Sequence, residues 1–319
     1  LLTTSTAKID EIIENVEKVM IGKRAEIRLS LVALLAGGHV LLEDVPGVGK
    51  TVFVKAMAKT INGSFKRIQF TPDLLPSDVT GVSIYNQNKQ AFEFRPGPVM
   101  ANVVLADEIN RTSPKTQSAL LEALEEGNVT VDGETMVIHS PFFVMATQNP
   151  VEYAGTFPLP EAQLDRFLVR ISLGYPTIEE ELELLGRVEQ KHPIEDLEAV
   201  VTLDEISALQ QEVKNIYIDG YVKEYLVNIV HATRTSGKIE LGASPRASIA
   251  LMRTSQAYAL IMGRDFVAPD DVKAVAPYVL GHRIRLHHDV LMREEAADEV
   301  LADLIKQIRV PVERKRHAT

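Results

Sequence analysis

Gly47, Gly49, Lys50 and Thr51 lie in the stretch HVLLEDVPGVGKT, residues 39 to 51, with the spacing of a loop that wraps phosphate. Glycines let a backbone approach phosphate oxygens closely, and the N–H groups and dipole at the start of a helix favour their charge. In such a loop Lys50 reaches the β and γ phosphates and the Thr51 hydroxyl binds Mg²⁺, with Val45, Pro46, Val48 and Val52 completing the nucleotide-binding run. Pro46 removes one N–H and stiffens the turn. The pattern GxxxxGK[ST] is broken at its first position, where the chain has Asp44. Aspartate is among the non-glycine residues that best tolerate a left-handed backbone. Asp44 is therefore expected to serve the turn while its carboxylate points away from the phosphates. The competing reading is a plain Pro-Gly turn.

A Mg²⁺-dependent nucleotide hydrolase also needs a carboxylate near the metal and a group that deprotonates or positions water. The segment NVVLADEINR supplies Asp107 and Glu108 at the end of an apolar run. Asp107 is expected to hold Mg²⁺, through water, and Glu108 to act as general base. The segment ATQNP carries Asn149, which either hydrogen-bonds the attacking water and a γ-phosphate oxygen or is a turn asparagine before Pro150; the segment alone supports both. Other chemistries find less support. His287, His288 and Asp289 lack a third and fourth metal ligand at useful spacing. The chain has no GxSxG elbow and no cysteine for nucleophilic catalysis.

These groups need a sheet whose strand ends share one edge, the place where open α/β sheets bind ligands. Candidate strands are residues 39–43, 65–70, 102–107, 142–147 and 167–173, separated by helical patterns at 7–20, 24–36, 50–61 and 114–126. The alternation predicts βαβ units and a mostly parallel sheet. Asn62-Gly63 should stop the third helix, and Ser113 with Pro114 should start the fourth. Two hairpins are expected, one around Asp132-Gly133 (129–138) and one over 80–95. Past residue 176 the pattern becomes helical, with capping boxes at Thr177/Glu180 and Thr202/Glu205. Helices are expected at 178–190, 203–214, 220–235, 245–262, 269–280 and 291–308. The predicted organisation is an α/β domain over 1–175 and a helical domain over 176–319. VERKRH near the C-terminus reads as a solvated end.

The composition fits this division. With 319 residues, 45% hydrophobic and 24% charged, the chain has material for two ordinary globular domains. Its longest apolar stretch, LVALLAGGHVLL, is too short and interrupted to span a bilayer. The polar, acidic first residues do not resemble a signal peptide, and a cytoplasmic location is the expectation. The first residue is Leu1 rather than methionine. A net charge of −10 gives no general attraction to a nucleic-acid backbone.

The order of the segments resembles the AAA+ ATPases, and their wording resembles the MoxR family. The resemblance is carried by LLEDVPGVGKT, VVLADEINRTSPKTQSALLEALEEGNVTVDG, FFVMATQNPVEYAGTFPLPEAQLDRFLVRISLGYP and GASPRA, and runs over nearly the whole chain. It implies a P-loop core with a five-stranded, mostly parallel sheet and a C-terminal all-α lid. Residues 43–51 then correspond to Walker A, Asp107 and Glu108 to Walker B, and Asn149 to the first sensor. Arg166 corresponds to the arginine finger, which reaches a neighbouring subunit's γ-phosphate, and Arg246 to the second sensor on the lid. Without the resemblance, Arg166 would be read as a partner of Asp165, and Arg246 as a surface charge in a first helical turn. Ile21 and Gly22 fall where the family contacts adenine. The hairpin at 80–95 resembles the insert in helix 2, and that at 129–138 the hairpin before the sensor strand. The implied cofactors are ATP and Mg²⁺, and the implied assembly is a ring, a hexamer. Clients would be proteins or enzyme complexes undergoing maturation or metal insertion, with a von Willebrand factor A domain partner. Alternatives within the same branch are a metal-chelatase ATPase subunit and a nucleic-acid-associated motor or regulator.

Overall fold

The computed structural model describes residues 2–149, 155–189, 193–292 and 296–310. The N-terminal pair of helices, α1 (Leu2–Glu17) and α2 (Arg24–Leu35), leads into β1 (Val40–Glu43). There follow α3 (Lys50–Thr60), β2 (Phe65–Gln69), α4 (Pro76–Thr80), the hairpin strands β3 (Gly81–Asn86) and β4 (Ala91–Pro96), and β5 (Val103–Asp107). Next come α5 (Pro114–Glu126), a second hairpin β6 (Asn128–Val131) and β7 (Glu134–Val137), β8 (Phe143–Gln148), α6 (Glu161–Leu164) and β9 (Val169–Ile171). The last stretch holds α7 (Ile178–Val188), α8 (Leu203–Asn215), α9 (Gly220–Thr235), β10 (Ile239–Leu241), α10 (Pro245–Ile261) and α11 (Pro269–Leu280). It closes with β11 (Arg285–Leu286), α12 (His288–Leu291) and α13 (Ala297–Gln307).

Five strands form one parallel sheet in the order β2-β5-β8-β1-β9. Parallel neighbours require crossovers, which cover both faces with helices and explain why the central strands β5, β8 and β1 are apolar on both sides, whereas edge strand β2 alternates polar and apolar residues. Side chains alternate accordingly. Val40, Leu42, Val103, Leu105, Phe143, Met145, Val169 and Ile171 pack on the face shared with α1, α2 and α3. Leu41, Val104, Ala106, Val144, Ala146 and Phe167 pack on the face of α5 and the hairpins. Each such fully buried Val, Leu, Ile or Phe stabilises the fold by roughly 1.5–3 kcal/mol relative to exposure. Registers of Glu43 with Gln148 and of Gln69 with Asp107 bring the C-terminal strand ends to one edge.

The expected stops and caps are present. Ser113 accepts from the Thr116 N–H at the start of α5, and Gly127 closes that helix at φ 63°. Both capping boxes, at Thr177 and Thr202, are formed. The Asp132-Gly133 turn has φ values of 52° and 82°, as a two-residue hairpin turn demands.

Three elements differ from expectation. Helix α1 starts at Leu2 rather than residue 7: Ser5 is buried with its hydroxyl donating to Glu212, and Lys8 pairs with Glu205. Docking on α8 thus overrides the weak helix preference of the Thr-rich start. The helix expected over 291–308 is represented by α12 and the separate α13. The helical half also carries the β10–β11 ribbon, whose strands are too short to show alternation; Ile239 and Leu286 bury a small cluster there with Val290 and Val300. The main apolar cluster runs without a break from the sheet through α1 and α2 into α8–α11. The VERKRH run lies outside the described residues, as do Pro150 and the four residues after it.

Candidate active site

The loop between β1 and α3 takes its shape from two glycines, Gly47 at φ 88° and Gly49 at φ 91°. No side chain caps α3 at Gly49, which leaves its first-turn N–H groups available to an anion. Lys50 turns back over the loop, its Nζ donating to the carbonyls of Asp44 (3.1 Å) and Val45 (3.4 Å). A cavity of about 420 Å³ opens in front of this loop, lined by Pro46, Gly47, Gly49, Lys50, Thr51 and Val52. Its far wall is Arg67, Gln69, Asp107, Glu108, Thr147 and Asn149, from the ends of β2, β5 and β8. The sheet edge thus assembles the residues that the spacing had singled out, Asn149 among them.

Thr147 organises the two carboxylates. Its hydroxyl donates to Asp107 Oδ1 (2.6 Å) and accepts from the Glu108 N–H (2.8 Å). Asp107 Oδ2 pairs with Arg67 at 2.5 Å. Glu108 sits at φ 58°, a left-handed conformation that a glutamate holds only where the surroundings enforce it. Its Oε2 accepts from Gln69 Nε2 (2.8 Å) and from Arg111 (3.2 Å). Arg67, Gln69 and Thr147 were not anticipated. The signal was present in the alternation of "RIQ", where Arg67 and Gln69 flank buried Ile68, but nothing in it says that β2 lies beside β5.

The donors facing the cavity include the Thr51 hydroxyl and the Asp107 carboxylate, both hard oxygen ligands of the kind Mg²⁺ takes. A second, apolar cavity of about 180 Å³ adjoins the loop, lined by Val19, Met20, Ile21, Lys23, Gly47, Val48, Gly49, Val52, Gly174, Pro176, Glu180 and Leu184. Its size and lining suit a flat base. Ile21 lies in its wall, and Gly22, at φ 71°, lets Glu180 pack where a Cβ would overlap its carboxylate. Val45 contributes its carbonyl to Lys50 and does not line either cavity.

Asp44 departs from expectation in one respect and agrees in another. Among the described residues the non-glycine positive φ values belong to Asn62, Gln90, Glu108 and Asp132, so Asp44 is not left-handed. Its carboxylate does turn from the phosphate loop, accepting from Ser172 Oγ (2.7 Å), Leu173 N (2.7 Å) and Gly174 N (3.0 Å).

Arg166 and Arg246 lie elsewhere. Both bind Glu125 on α5, Arg166 at 3.0 Å. They line a cavity of about 370 Å³ with Gly37, Gly38 and His39, at the start of β1. The phosphate loop begins at the other end of that four-residue strand. At about 3.3 Å per residue the strand alone separates the two edges by about 10 Å. Asp165, the alternative partner for Arg166, is taken by Arg283 at 2.6 Å. Buried Arg283 also donates to the carbonyls of Asp165, Phe167 and Leu168, so Arg166 stands on a fixed platform. His287 precedes the short helix α12 and lines none of these cavities.

Residues 39–169 match the family model of the ATPase family associated with various cellular activities (AAA), and residues 231–308 match that of the AAA lid domain. The YeaC protein of Bacillus subtilis is 60% identical over 302 residues, covering 95% of this chain and 94% of its own. Chaperone MoxR1 of Mycobacterium tuberculosis is 41% identical, covering 97% of this chain and 84% of its own. A crystal structure of a candidate ATPase from Cytophaga hutchinsonii superposes with a TM-score of 0.91 at 40% identity, over 98% of this chain and 97% of that one.

Proposed function

The chain belongs to the MoxR family of AAA+ ATPases, and on that premise we propose that it is a Mg²⁺-dependent, chaperone-like remodeller working as a ring. The observation that carries this reading is the single cavity in which the phosphate loop faces Asp107, Glu108 and Asn149. Loop N–H groups and Lys50 would hold the phosphates, and Ile21, Gly22 and Val48 the base. Thr51 and Asp107 would hold Mg²⁺, which supplies charge neutralisation on the β and γ phosphates when bound. Glu108 would take a proton from water once it leaves Gln69 and Arg111, with Thr147 fixing its backbone. Asn149 would orient that water.

Arg166 and Arg246 stand on the opposite sheet edge from their own phosphate loop, which fits a role at the nucleotide of an adjacent subunit. An exposed apolar stripe on α7, Ile178, Leu182 and Leu185, supports such contacts, because stripes of this kind mark interaction surfaces. Division of the chain near residue 176 gives the lid that hydrolysis would shift, and that motion would be passed to a client protein complex, with a von Willebrand factor A domain protein as partner.

Glu108→Gln is expected to keep ATP binding and lose about 10²-fold or more in kcat, the usual worth of a general base. Lys50→Ala is expected to lose binding. Titration with ATP and steady-state assay of both variants test the assignment; normal turnover by Glu108→Gln, or tight binding by Lys50→Ala, removes it.

A further inference from the structure

Asp44 stands where a phosphate loop usually has glycine, yet its backbone has no need of glycine's freedom, since its φ is not positive. The reason for an aspartate must lie in its side chain. That side chain is buried, with 5% of the residue exposed. Burying a carboxylate is costly unless hydrogen bonds replace water. Three donors do so, Ser172 Oγ, Leu173 N and Gly174 N, all from one short segment between β9 and α7. The segment has two further attachments. Gly174 and Pro176 form part of the base cavity, and Thr177 caps α7. On the other side, the Asp44 carbonyl accepts from Lys50, the phosphate-binding lysine.

We propose that Asp44 is a positioning residue that locks the phosphate loop to the segment 172–174, setting the base cavity and the start of α7 against the phosphates. The proposal rests on the nucleotide reading of these cavities and assigns a role to a residue outside the phosphate contacts. It separates two parts of binding. Phosphate affinity belongs to the loop itself and should survive loss of the carboxylate, whereas base-dependent affinity requires the lock.

Asp44→Gly is the informative variant, because it restores the commonest phosphate-loop pattern while removing the carboxylate. ADP and inorganic tripolyphosphate, which has no base, are the two probes, and amide exchange at Leu173 and Gly174 in the nucleotide-free protein is the independent readout. The expected result is a loss of about tenfold or more in ADP affinity, tripolyphosphate affinity within about twofold of the parent, and at least about tenfold faster exchange at both amides. Ser172→Ala removes one donor without touching the loop and should weaken ADP in the same direction by less. It keeps the test decisive if Asp44→Gly folds poorly. Equal losses for both probes, or unchanged ADP affinity, overturn the proposal. If the parent protein binds neither probe, the nucleotide reading fails; unchanged exchange in Asp44→Gly would then overturn the lock, and faster exchange would sustain it.

Discussion

Thr147 shows how one hydroxyl can govern two carboxylates. It is 1% exposed, donates to Asp107 and accepts from the N–H of Glu108, so both of its bonds are made within the site. Thr147→Val keeps the shape and removes both bonds, leaving a buried N–H and a carboxylate oxygen short of a partner. Losses of this kind cost about 1–3 kcal/mol each. Thermal or urea unfolding should register that destabilisation, and kcat should fall by about tenfold or more, because Glu108 would no longer be held in its left-handed turn. A Thr147→Val protein with unchanged turnover would show that Glu108 needs no such support. Arg67 and Gln69 act at the same scale: Arg67 pairs with Asp107 and Gln69 donates to Glu108, so both carboxylates are held in place.

At the scale of elements, β1 is fixed at both ends by unusual polar residues, Asp44 at one and His39 at the other. His39 is buried: its Nδ1 accepts from the Val144 N–H at 3.1 Å, which places the proton on Nε2, facing the Leu124 carbonyl at 3.2 Å. Burial, opposed by the Leu124 hydrogen bond, lowers its pKa from 6.5 to about 4. The neutral ring is thus favoured in the fold. Its contribution is fully present above about pH 6.5 and is lost as pH falls from there to about 4. The slope approaches about 1.4 kcal/mol per pH unit, or about 3 kcal/mol over the window. Buried His282, lowered by desolvation and by Arg283, adds to the same acid sensitivity. Urea midpoints between pH 7 and 4.5 should therefore fall steeply for the parent and less steeply for His39→Gln; equal slopes would mean that His39 is not the titrating group.

At the scale of the whole molecule the proposed site residues are divided between two edges. The edge with the loop between β1 and α3 carries the two cavities beside that loop, and the other edge carries Arg166 and Arg246, joined through Glu125. An arginine finger supplied across an interface contributes about 10³–10⁵ in rate. Specific activity should consequently rise with protein concentration. Mixing Arg166→Ala with Glu108→Gln should restore part of the activity that each lacks alone, since one interface then pairs an intact Glu108 with an intact Arg166. Absence of any recovery in mixed assemblies, verified to co-assemble, would assign Arg166 to its own subunit.

Much of this was legible in the sequence because local rules govern it. The glycines, lysine and threonine of the loop, the Asp107-Glu108 pair, the capping boxes and the Asp-Gly hairpin turn all follow from backbone geometry over a few residues. Strand order does not follow from such rules, and the tertiary structure alone decided it. Placing β2 beside β5 brings Arg67 and Gln69 to the carboxylates, and placing β9 beside β1 brings residues 172–174 to Asp44. The same topology puts Arg166 and Arg246 on the far edge, although residue spacing says nothing about which edge they share. The physical reason is range: a turn or a cap is fixed by neighbours in the chain, whereas the partners of Asp44 and Asp107 lie up to 130 residues away and meet only through the packing of a parallel sheet.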